Sequence, residues 1–148
     1  MATAEQFEDL RCWQTGRRLT DLVYGYSENG AFANDFSLKD QIRRTSISIM
    51  SNIAEGFNSR TRGIFVDLLG RARGSASEVQ AQLYVALDRG YIHRDEFEEA
   101  YGLADKVSRQ IYRFTQYLES QSAEENVRES AVQYEVDDDH IHVRDLAP

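Results

Sequence analysis

One proline occurs in this chain, and it is the last residue, Pro148. Proline breaks helices by removing an N–H and by clashing with the preceding turn, so nothing upstream interrupts a long helix. The apolar spacing uses that freedom. Residues 7–27 place Leu10, Trp13, Leu19, Leu22, Val23 and Tyr26 at steps near three and four. After Asn29-Gly30, Ser37 is positioned to cap "LKDQIRRTSISIMSNIAEGF", a second helix over 37–57. The turn "NSRTRG" leads into a third helix over 64–89, with Phe65, Leu68, Leu69, Ala72, Ala76, Val79, Leu83, Ala86 and Leu87 inward. "RGYIHRD" ends it. Asp95 caps a fourth helix over 95–120, whose stripe is Phe97, Tyr101, Ala104, Val107, Ile111, Phe114 and Leu118. Short connections between helices of this length predict an all-α protein, an antiparallel up-down four-helix bundle. Apolar positions on the second and third helices (Ile47, Ile49, Met50 and Ile53; Phe65, Val66, Leu68 and Leu69) cover more than one narrow stripe, which suggests self-association beside a wide core.

At 148 residues the chain suits one domain, residues 1–120, followed by a tail, residues 121–148. The single Cys12 excludes an intrachain disulfide and fits a reducing compartment. "MATAEQFEDL" lacks the apolar core of a signal peptide, and no stretch has the length of a membrane span. The expected location is cytoplasmic, with no membrane partner. Net charge is −8, but the tail holds eight acids against Arg128 and Arg144, leaving residues 1–120 near neutrality. Within the tail, Val132, Tyr134 and Val136 alternate with polar residues before "DDDHIH". Such alternation permits a short β hairpin, or a flexible acidic segment that orders against a protein partner. His140 and His142 fall on one side of a strand but lack two further ligands at set spacing, so no metal site is predicted.

The polar residues of the helices raise the functional question. Ser48, Asn52 and Glu55 share one helical face, as do Ser75, Glu78 and Gln82. If those faces meet, they form a polar cluster that fixes helix register inside the bundle. Gly70 and Gly74, four apart in "GRARGS", would then let the helices pack closely. A di-metal site needs a Glu-x-x-His on two helices, and no histidine lies within any of the four. A phosphate loop needs G-x-x-x-x-G-K-[ST], which neither "GIFVDLLG" nor "GRARGS" supplies. Glu55 and Glu78 have no nucleophile, metal or oxyanion donor beside them, so no catalytic residue and no cofactor is predicted.

Between residues 39 and 73, seven bases face Asp40, Glu55 and Asp67. Arg43, Arg44, Arg60, Arg62, Arg71 and Arg73 are therefore candidate nucleic-acid contacts, for RNA or DNA, against the plainer reading of a solvated face. Two functions follow. The first is a non-enzymatic oligomeric scaffold that binds macromolecular partners. The second is a nucleic-acid-binding accessory factor of a ribonucleoprotein.

"FEDLRCWQTGRRL", "QIRRTSISIMSNIAEGF" and "ARGSASEVQAQLYVALDRGYI" with the fourth stripe resemble the bacterial four helix bundle proteins, also called the 23S rRNA-intervening-sequence proteins. The likeness runs over about residues 7–118, with SNIAEG and GSASE its most specific elements. It implies an antiparallel bundle assembling as a ring-like homopentamer. The related accessory proteins of diversity-generating retroelements bind a reverse transcriptase and RNA. For most members no biochemical activity is established. Met50 stands where the family often has proline, and the acidic extension lies outside the shared pattern.

Overall fold

The helices begin and end where capping groups place them, a few residues from where apolar spacing alone puts them. A computed structural model of the chain describes residues 5–121. A single 3₁₀ turn, Phe7–Asp9, precedes α1, Arg11–Tyr26. A short α2, Gly30–Asn34, follows, then α3, Phe36–Phe57, α4, Arg62–Asp88, and α5, Arg94–Ser120. The expected tail hairpin and the His140–His142 pair lie outside the described residues.

The caps differ from the expected ones. Asp35, rather than Ser37, caps α3: its Oδ1 accepts from the Leu38 N–H at 3.1 Å. Its Oδ2 accepts from the Tyr91 hydroxyl at 2.9 Å, which ties the start of α3 to the α4–α5 connection. Thr61 Oγ1 caps α4 by accepting from Ile64 N–H at 3.2 Å. At α5 the work falls to Glu96 rather than Asp95, since Glu96 Oε1 accepts from the His93 N–H at 2.8 Å. α4 stops at Gly90, whose φ of +75° is the left-handed conformation that residues with a Cβ avoid. Across Met50 α3 continues unbroken.

Around the bundle, α1 lies beside α3, α3 beside α4, α4 beside α5, and α5 beside α1. Consecutive long helices run antiparallel: Gly16 faces Ile49 while Ser27 meets Arg43, Ser48 meets Ser75 while Thr45 meets Gln82, and Phe65 meets Phe114 while Tyr84 meets Phe97. Leu19, Ile42, Ile49, Ile53, Leu69, Val79, Val107, Ile111 and Phe114 fill the centre. Phe65 meets Phe57 and Phe114 edge to face, with ring centroids 6.5 and 5.3 Å apart. Edge-to-face rings add to what their burial contributes, because a positive edge meets a negative face. Much of the broad apolar surface of α3 and α4 is therefore core. Ile49, Ile53, Phe65, Leu68 and Leu69 are buried, and Met50 and Val66 are half-buried. Ile47 is the exception, at 40% exposure.

Candidate interaction surface

Part of the expected polar cluster forms, and part of it points the other way. Along the α3–α4 seam, Ser48 Oγ lies 2.9 Å from the Thr45 carbonyl and 2.6 Å from Ser75 Oγ. A hydroxyl has one proton to give, so the two serines share their bonds between each other and the α3 backbone. Two turns further from the α3–α4 connection, Gln82 Nε2 donates to Thr45 Oγ1 at 3.2 Å, and that hydroxyl donates to Gln41 O at 2.7 Å. Asn52 is half-buried and spends its Nδ2 on the carbonyl of Ser48, 2.8 Å away on its own helix.

Glu55 and Glu78 do not join this seam; both are exposed. From the Ser48–Ser75 contact, Glu55 lies seven residues towards the α3–α4 turn and Glu78 three residues away from it. Helical rise then separates the two carboxylates by about 15 Å along the axis. That spacing exceeds the separation at which paired carboxylates act as acid and base on one bond. The polar cluster is thus Ser48, Asn52 and Ser75, while Glu55 and Glu78 face outward.

Gly70 and Gly74 also stand apart from the expectation. Both are exposed, and a Cβ built on either meets no other element among the described residues within 4 Å. They belong to an outward line on α4, Gly70, Gly74, Glu78, Ala81 and Val85, with Val85 46% exposed. Ser51 and Glu55 present the adjoining exposed strip of α3. On the α3–α4 hairpin, Gly56, inside SNIAEG, does allow close packing: a Cβ there would sit 2.6 Å from Phe65 Cδ2. Its signal was present in the sequence: it falls beside Phe57 in the core register of α3.

The six arginines do not converge within one chain. Arg43 is drawn towards α1, its guanidinium 4.3 Å over the Tyr24 ring and its Nε donating to Ser27 Oγ at 2.8 Å. Arg44 pairs with Asp40 at 3.0 Å in the open. Arg73 leans the other way, onto α5, 4.6 Å over Tyr112 and bonded to Ser108 Oγ at 3.2 Å. Arg62 donates to the Gln121 carbonyl. Arg60 and Arg71 are exposed, the first in the α3–α4 turn and the second about a third of the way along α4.

Between α1 and the first half of α3 runs an open groove of about 650 Å³. Tyr24, Phe36, Lys39, Arg43, Arg44 and Ile47 line most of it. Sequence reasoning missed this groove, because Phe36 falls between two helices of unequal length and reads as neither stripe nor loop.

Two tyrosines at that end of the bundle hold their protons tightly. Burial, then the Glu99 and Glu96 carboxylates, push Tyr26 up to about 12. The hydrogen bond to Asp35, chiefly, raises Tyr91. Among the described residues, no three His, Cys, Asp or Glu side chains come together, and no helix is long and apolar enough to cross a membrane.

Comparisons agree with the architecture. A search of curated proteins returns no match. A 1.70 Å crystal structure of a protein of unknown function from the S23 ribosomal protein family of Bacteroides thetaiotaomicron superposes with a TM-score of 0.65. The two share 21% identity over 71% of this chain and 95% of that one, a likeness that speaks for the fold. The family model for the 23S rRNA-intervening sequence protein matches residues 8–113, a span that includes SNIAEG, GSASE and nearly the whole bundle. The chain belongs to the 23S rRNA-intervening sequence protein family.

Proposed function

We propose that this protein is a non-enzymatic homo-oligomeric scaffold whose subunits meet through the outward α3–α4 face and which binds partner macromolecules. One observation carries this reading. Ser51 and Glu55 of SNIAEG and Gly74 and Glu78 of GSASE, with Gly70 one turn earlier on α4, are exposed on the outside of a bundle whose core is built from other residues. Glycine in a helix interior costs about 0.8–1.0 kcal/mol relative to alanine. Exposed twice on α4, that cost is offset where a neighbouring backbone approaches. Ala81 and Val85 extend the strip with apolar surface, and the two separated carboxylates limit the registers in which a second copy can dock. By resemblance the expected number of subunits is five.

Native mass spectrometry of the full chain at low salt tests this, with Glu55→Leu, Asn52→Leu and Gly74→Leu alongside. Five subunits that fall to fewer in the variants, with unchanged helix content, are expected. A wild-type monomer, or variants that keep both the wild-type subunit number and melting temperature, would overturn it.

A second reading, a nucleic-acid-binding accessory factor, draws on Arg60, Arg62, Arg71 and Arg73. Arg60 and Arg62 lie at the α3–α4 turn and Arg71 and Arg73 further along α4, towards its middle, so an assembly would multiply these cations. Polynucleotide carried through the same measurement and released by salt would support it.

A further inference from the structure

We propose that the groove between α1 and the first half of α3 is the docking site for this chain's own C-terminal segment, residues 132–139. The inference stands on the groove and on the sequence, independently of how subunits assemble.

The groove has an unusual composition for an exposed surface. Phe36 is 71% exposed and Ile47 40%, three helical turns apart on α3. Between them stand Lys39, Arg43 and Arg44 against the single acid Asp40. Lys39 Nζ lies 5.0 Å over the Phe36 ring and Arg43 is held against Tyr24, so cations and apolar surface are interleaved. The Arg44–Asp40 pair is exposed on both sides, and exposed pairs exchange partners at little cost. A ligand suited to such a surface is an extended peptide with alternating apolar side chains and a dense negative charge.

Residues 132–139, "VQYEVDDD", have that chemistry. Val132, Tyr134 and Val136 recur at steps of two, and Glu135, Asp137, Asp138 and Asp139 supply four acids with no base. In an extended segment the three apolar side chains share one face, about 13 Å from first to last. Phe36 and Ile47, eleven residues apart on a helix, are separated by roughly 16 Å. Reach is sufficient. The Gln121 carbonyl lies at Arg62, at the far end of the bundle, and by helical rise the groove centre is roughly 27 Å along the axis from it. Sixteen extended residues, from 121 to 137, span up to about 50 Å.

The test uses the full chain with a nitroxide on Ser37→Cys, an exposed position beside the groove. The native Cys12 is fully buried and does not compete for the label. Amide NMR signals of residues 132–139 are expected to lose roughly half or more of their intensity relative to the reduced label, and to recover near 1 M salt, where the Debye length is about 3 Å. Lys39→Glu with Arg44→Glu should restore the signals at low salt without moving the melting temperature. In a mixture of labelled and isotope-enriched chains, broadening across chains assigns the groove to a neighbour and its absence to the same chain; either result keeps the segment in a groove. Full intensity in the singly labelled protein, or broadening indifferent to both salt and the charge reversals, would overturn the proposal.

Discussion

Gly56 and Gly74 lie on neighbouring helices of the same hairpin and have opposite surroundings. A Cβ on Gly56 would press to 2.6 Å of Phe65 and 3.3 Å of Leu68, whereas one on Gly74 would meet no other element among the described residues within 4 Å. The first glycine is explained by the fold it belongs to. The second is an unused allowance in a single chain. The same residue type thus marks an inner face, where two helices touch, and an outer face, which the proposed assembly would use.

That contrast can be broken by substitution. The largest effect is expected from Gly56→Ala, because Phe65 is wedged between Phe57 and Phe114 and has no open side to move into. Overpacking of this kind costs about 1–3 kcal/mol, and a urea midpoint should fall accordingly. An unchanged midpoint would show that the ring trio gives way easily. Gly74→Ala should do the reverse, gaining about 0.8–1.0 kcal/mol from helix propensity in a dissociated chain. If that gain shrinks or changes sign at concentrations where subunits associate, the outer face is in use. The smallest effect concerns Tyr26, which lies on neither face. Its ordinary value of 10.0 is pushed up to about 12, chiefly by burial. Above pH 10 the unfolded chain gives up a proton that the folded chain keeps. The associated stability is therefore complete below pH 10 and lost as pH rises through about 12. In Tyr26→Phe this part of the alkaline slope should disappear, as urea midpoints measured on both proteins across that range would report.

Much of the fold was legible beforehand. Of the stripe Phe97, Tyr101, Ala104, Val107, Ile111, Phe114 and Leu118, all but the half-buried Tyr101 are buried as their spacing requires, because a helix with one apolar face has one way to hide it. Helix starts were less legible. Ser37 and Asp95 are good capping residues, but Asp35 holds the cap of α3, where Tyr91 also bonds its carboxylate, and His93 holds that of α5, with Glu96 reaching back to its N–H. The site was read half correctly. Ser48 and Ser75 meet as their periodicity allows, yet Glu55, one helical step of seven from Ser48, is exposed. Seven residues fall about 20° short of two full turns, and at the edge of a seam that drift adds to the choice between contact and solvent.

Apolar spacing alone was enough to place four long helices, their antiparallel order and most residues of the core. A missing proline and a period near 3.6 constrain each helix locally, and short turns leave little freedom in how they stack. Which neighbour each polar side chain reaches was settled by how the packed helices meet. Their packing sent Arg43 to α1 and Arg73 to α5, put Gly56 inside and Gly74 outside, and opened the groove beside Phe36. Those outcomes depend on rotation of each helix about its axis, which the packing of facing side chains sets.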